Sequence, residues 1–127
     1  MNRLLLSSLL LLMALPAWGN DLIGVWKTNI PVTMEKMDAS SEIKSRVKAS
    51  LEDLGELELK FTSDLLIATR DGVTSTASYY VKDKRDNCYG LGVEGGTEGI
   101  SIYVVYCVEG DLMYISVNEF REYYSRQ

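Results

Sequence analysis

Residues 88–107 read CYGLGVEGGTEGISIYVVYC and hold both cysteines of the 127-residue chain. The midpoint of the stretch falls between Thr97 and Glu98, inside the turn-forming run EGGTEG. A hairpin reversing there sets Cys88 opposite Cys107, Gly90 opposite Val105, Leu91 opposite Val104 and Gly92 opposite Tyr103. Directly opposed residues of an antiparallel pair bring their Cβ atoms to about 4.5–5.5 Å, close to the reach of a disulfide. The chain contains no C-x-x-C spacing and no histidine. The pair therefore reads as a structural bridge rather than a redox or zinc site.

Strand alternation carries the reading outward. Tyr89, Leu91, Val93, Ile102, Val104 and Tyr106 share one face, and a tight turn at Gly110–Asp111 returns Met113, Ile115 and Val117 to it. These residues form the predicted core. The other, more polar face carries Cys88, Gly90, Gly92, Tyr103, Val105, Cys107 and Tyr114, so the disulfide clamps the sheet from outside. On that face Tyr103 is expected to cover Gly92, and Val105 to cover Gly90.

Upstream, ELELKFT (56–62) alternates Leu57, Leu59 and Phe61 with charged residues, as a half-buried strand does. Ser63–Asp64 signals a turn, LLIATR a strand, Asp71–Gly72 a type I′ hairpin, and VTSTASYYV a further strand. KDKRDN (82–87) reads as a charged, exposed connection. At the other end, residues 20–31 have β character terminated by Pro31. Between these regions Ile43, Val47, Leu51 and Leu54 mark one face of a helix, with Ser40 or Ser41 as cap and Gly55 just past its end. Met34 and Met37 fall in a turn before it. The expected fold is mainly β with one helix (α+β). It is an antiparallel meander forming a small barrel or half-barrel, with the helix between strands one and two.

The first residues, MNRLLLSSLLLLMALPAWG, combine Arg3, an apolar run from Leu4 to Leu15 and the small-x-small triplet Ala17-Trp18-Gly19. They predict a secretory signal peptide over 1–19 and one mature domain over 20–127. Cleavage would leave no stable membrane anchor and would place the protein in the periplasm or outside the cell. There, oxidation of Cys88 and Cys107 is favoured. Without Arg3 the chain carries 12 basic and 18 acidic side chains, a net charge of −6. Such a domain has no basic stripe for phosphate contacts and is not expected to bind nucleic acid.

Several residues together resemble small exported bacterial lipocalin-like (calycin-type) proteins of unassigned role. They are Gly24-Val25-Trp26-Lys27, the run Leu59-Lys60-Phe61-Thr62-Ser63-Asp64, Ser78-Tyr79-Tyr80-Val81, Gly110-Asp111-Leu112 and a last strand ending at Arg126. The resemblance implies a barrel in which Trp26 closes the bottom beneath Arg126 or Arg121, a cation–π contact. The helix after the first strand departs from the lipocalin order.

No catalytic constellation can be assembled. Histidine is missing, and the acid pairs Glu94/Glu98 and Glu109/Asp111 read as solvated turn tips without calcium-loop spacing. No enzyme activity, cofactor or metal is expected. Two function classes stay open. One is a binding protein for a small apolar ligand or lipid, contacting Phe61, Tyr89, Val104 and Tyr106 inside the barrel. The other is an envelope inhibitor or immunity factor binding a protein through an acidic, tyrosine-bearing surface around Tyr103, Tyr114, Glu94, Glu98 and Asp111.

Overall fold

The computed structural model describes residues 20–95, 100–117 and 120–127. Eight strands follow in chain order: β1 (Gly24–Thr28), β2 (Leu57–Phe61), β3 (Leu65–Arg70), β4 (Val73–Arg85), β5 (Cys88–Gly95), β6 (Ile100–Glu109), β7 (Leu112–Val117) and β8 (Phe120–Arg126). They close an antiparallel up-and-down barrel in which β1 pairs with both β2 and β8. Closure pairs both ladder edges of every strand, which is how a meander of this size avoids an open edge. The expected signal peptide and the turn residues Thr97 and Glu98 lie outside the described residues.

The register of β5 and β6 agrees with the hairpin read from the sequence, with Cys88 facing Cys107 and Leu91 facing Val104. The cysteines are joined, with their Cα atoms 4.0 Å apart. At the β3–β4 turn, Asp71 and Gly72 both have positive φ (52° and 77°), as a type I′ turn requires.

Three expectations are corrected. The segment between β1 and β2 forms two helices, α1 (Ile30–Lys36) and α2 (Ser41–Leu54). Pro31 stands in the first turn of α1, where its missing N–H costs nothing, and Asn29 caps that helix by accepting from the Val32 N–H at 3.0 Å. Met34 thus belongs to a helix rather than a turn. Lastly, Lys82–Arg85 are not a connection. They extend β4 past a bulge between Val81 and Asp83, and only Asp86–Asn87 turn the chain.

The Ser40 side chain caps α2, and Gly55 ends it at φ 85°. Neither helix contributes to the barrel core among the described residues. Instead α1 lies against β8, and α2 lies against α1 with Leu51 buried and Ile43 and Leu54 half exposed. The join between α1 and β8 is polar. Thr33, fully buried, donates from its hydroxyl to the Asn29 carbonyl at 2.9 Å and accepts from the Tyr123 N–H at 2.8 Å. Asn29 also donates from its side-chain amide to the Ser125 hydroxyl at 2.6 Å.

Candidate functional site

The barrel has two unlike ends. At one end the N-terminal segment meets the β2–β3, β4–β5 and β6–β7 turns. There Leu22, Trp26, Phe61, Tyr89 and Met113 are almost wholly buried. The Trp26 indole N–H donates to the Leu22 carbonyl at 2.8 Å. Above the ring the Arg126 guanidinium lies 4.2 Å from its centroid and donates to the carbonyls of Ile23 and Asp21. The Tyr79 hydroxyl accepts from Asn20 and donates to the Thr62 carbonyl, and the Tyr89 hydroxyl accepts from the Asp21 N–H. Phe61 meets Tyr79 and Tyr106 edge-on, with centroids 5.4 and 5.5 Å away. This end is a packed floor.

Toward the other end burial relaxes. Leu57, Ala68, Val93, Val104 and Ile115 point inward by strand parity yet are only partly buried. At the rim Val73 and Ile102, also on the inward parity, are 70% and 60% exposed. The inward side chains thus run from a packed floor at one end to an exposed rim at the other.

The inward residues of β3 and β8 add a polar group near that rim. Arg70 opposes Leu57, Tyr124 opposes Met113, and Glu122 opposes Ile115. The Tyr124 hydroxyl donates to Glu122 Oε1. Arg70 Nε is buried with no hydrogen-bond partner. Burial pushes the Tyr106 phenol up to about 12, and the Glu122 charge adds to it. Tyr124 is raised by burial first and then by Glu122, while the charge of Arg70 works in the opposite direction. Arg70, Tyr106, Glu122 and Tyr124 therefore form one electrostatic neighbourhood.

The four interior residues expected to meet a ligand are brought together: Phe61, Tyr89 and Tyr106 are buried, and Val104 packs against them from the accessible side. Arg70 and Glu122 went unread in the sequence, and Tyr123 and Tyr124, whose place near the C-terminus suggests exposed tyrosines of a binding surface, are both buried. Neither LLIATR nor EFREYYSR alternates apolar with polar residues, so the inward parity of each strand follows only from the neighbours it pairs with in the closed barrel.

The outer face differs more from expectation. Tyr114 is only 8% exposed, packed with Tyr123, Cys107 and Cys88 beside Val32 of α1, and Arg121 stacks on its ring at 4.3 Å. It is an anchor for α1 and not an exposed contact residue. The disulfide likewise sits in this apolar cluster rather than on a polar face. Tyr103 is exposed, its hydroxyl donating to both Asp83 oxygens at 3.0 and 3.1 Å. Covering of the glycines is also corrected. A Cβ on Gly92 would lie 2.4 Å from Tyr80 Cζ, and one on Gly90 would lie 2.2 Å from Asp83 Oδ1 and 2.3 Å from the Tyr103 hydroxyl. Tyr80 shields the first, and the Tyr103–Asp83 pair shields the second. The bulge in β4 is what delivers Asp83 to Gly90. Glu94 is exposed, and Asp111 lies beside Arg126, 3.8 Å from its Nε.

Among the described residues, no group of three or more His, Cys, Asp or Glu side chains could hold a metal. No family model, curated protein or solved structure matches this chain.

Proposed function

We propose that the protein is an exported, non-catalytic binding protein that takes a small apolar ligand or lipid into the mouth of a lipocalin-like barrel. The observation that carries this reading is the gradient of burial along the inward-facing side chains. A sealed floor of Trp26, Phe61 and Tyr89 gives way to accessible Ala68, Val93, Val104 and Ile115, then to exposed Val73 and Ile102. Apolar side chains left accessible on a concave wall gain free energy when a ligand removes water from them, about 25 cal/mol per Å². The disulfide agrees with delivery to an oxidising compartment such as the periplasm.

A neutral fluorescent probe, N-phenyl-1-naphthylamine, tests this. Saturable one-to-one binding is expected, abolished by Ala68→Phe, which fills the lumen, and weakened by Val73→Trp at the rim. Both variants are to be checked for folding by circular dichroism. Absence of binding to the folded wild type, or binding unmoved by both variants, would refute the reading.

A second reading, recognition of an envelope protein, is favoured by one observation. Tyr80, Tyr103 and Val105 are 49%, 53% and 38% exposed on the outer face of β4–β6. Tyr103 is held in place by Asp83, which lowers the entropy lost on binding. Tyr103→Ala together with Tyr80→Ala would weaken such a partner without disturbing probe uptake.

A further inference from the structure

We infer that Arg70 is the anchor for the ionised head group of an apolar monocarboxylate whose tail lies along Leu57, Ala68, Val93, Val104 and Ile115. This inference rests on the lumen reading above. Its observation is separate: a guanidinium that stands on the inward parity of β3, with Nε buried and unpartnered.

The guanidinium is a permanent cation with donors fixed in a plane, and a buried donor left without a partner is costly because it has given up water for nothing. The side chain has no ion pair among the described residues, where carboxylates pair with Lys27, Arg46 and Arg126 instead. Glu122, the acid within its electrostatic neighbourhood, is occupied by the Tyr124 hydroxyl. Among the described residues no carboxylate forms an ion pair with Arg70, and its Nε is left without a hydrogen-bond partner. Two features narrow the ligand class. A planar carboxylate matches the guanidinium fork. The negative charge of Glu122 nearby disfavours a dianion such as a phosphate monoester, which would meet one cation and one anion. Below Arg70 the inward wall is apolar, through Leu57, Leu59 and Ala68, so the rest of the ligand must be apolar too. Head and tail fall in the order that the inward wall imposes, polar at the rim and apolar below.

The experiment compares 11-(dansylamino)undecanoic acid with its methyl ester at pH 7.5, using the full mature domain with its disulfide intact. The acid is expected to bind at least ten-fold more tightly than the ester. Arg70→Met should bring the acid down to the ester's affinity and leave the ester unchanged. Arg70→Lys, which keeps the charge but loses the fork and supports folding if Met does not, should retain part of the preference. Glu122→Gln should strengthen the acid several-fold and leave the ester alone. Equal binding of acid and ester by the wild type, or a preference unmoved in Arg70→Met and Arg70→Lys, would overturn the assignment. If N-phenyl-1-naphthylamine binds but the acid is not preferred, the anchor fails and the lumen reading stands. If none of the probes binds, both fall together.

Discussion

The guanidinium of Arg126 lies over the ring of Trp26, 4.2 Å from its centroid, and ties the last residues of β8 to the segment that precedes β1. Trp26 and Arg126 are also directly opposed in the β1–β8 ladder, the pairing that closes the barrel. One contact therefore seals the floor and the cylinder together. Gly24 belongs to the same arrangement. Its φ of 137° suits glycine, and a Cβ there would come within 3.1 Å of the guanidinium. Truncating a buried tryptophan costs about 3–5 kcal/mol, so Trp26→Ala is expected to destabilise by that amount in urea denaturation. Arg126→Ala loses charge-assisted hydrogen bonds worth about 1.5–3 kcal/mol each at most, less for a side chain in partial contact with water. It should therefore cost less than Trp26→Ala. Near-neutral Trp26→Ala would remove the floor from this account.

The Cys88–Cys107 link closes a loop with a sequence separation of 19. By loop-closure entropy it contributes roughly 3 kcal/mol. Non-reducing peptide mapping should recover the linked pair, and a reductant should lower the denaturation midpoint by a corresponding amount. A midpoint indifferent to reduction would show that the β5–β6 pairing holds itself.

Thr33→Val removes a buried hydroxyl that both donates and accepts, stranding the Tyr123 N–H beneath α1. The expected cost is about 1–3 kcal/mol, with Thr33→Ser close to wild type. Chemical denaturation of the two variants distinguishes a hydrogen-bonding role from mere packing, since valine preserves the shape.

Two interior phenols make stability fall in alkali. Tyr106 is raised from 10.0 to about 12 by burial, so the unfolded chain gives up its proton first as pH rises. The native state then binds more protons than the unfolded state, and stability drops as pH rises through that window. Tyr124 is shifted in the same direction and prolongs the fall. Stability measured from pH 9 to pH 12 should decline less steeply in Tyr106→Phe. An unchanged slope would place that hydroxyl in contact with water.

How much of this was legible beforehand differs by element. Alternation and turn chemistry are local, so the β5–β6 register, the disulfide, the inward set from Tyr89 to Val117 and the Asp71–Gly72 turn could all be read from residues near one another. The α1 helix was missed because Pro31 ends a strand and starts a helix with equal ease, and the choice follows from the Asn29 cap and the burial of Thr33 against β8. The run 82–87 looked like a loop because charged residues tolerate solvent in either state. Lys82–Arg85 are strand because β5 offers a partner and the bulge absorbs the change of register, and only Asp86–Asn87 turn.

The sequence by itself determined a disulfide-clamped antiparallel meander, one apolar face and a first-strand tryptophan, since these depend on period-two patterning and residue chemistry. Only the tertiary structure decided which tyrosines are free. Tyr114 looks as exposed as Tyr103 in the alternation, yet α1 covers one, while the other stands in solvent holding Asp83. It also decided that Arg70 of β3 and the hydrogen-bonded Glu122–Tyr124 pair of β8 share one electrostatic neighbourhood. They come from strands far apart in the chain, and only the closure of β1 onto β8 turns their separate faces into one interior wall.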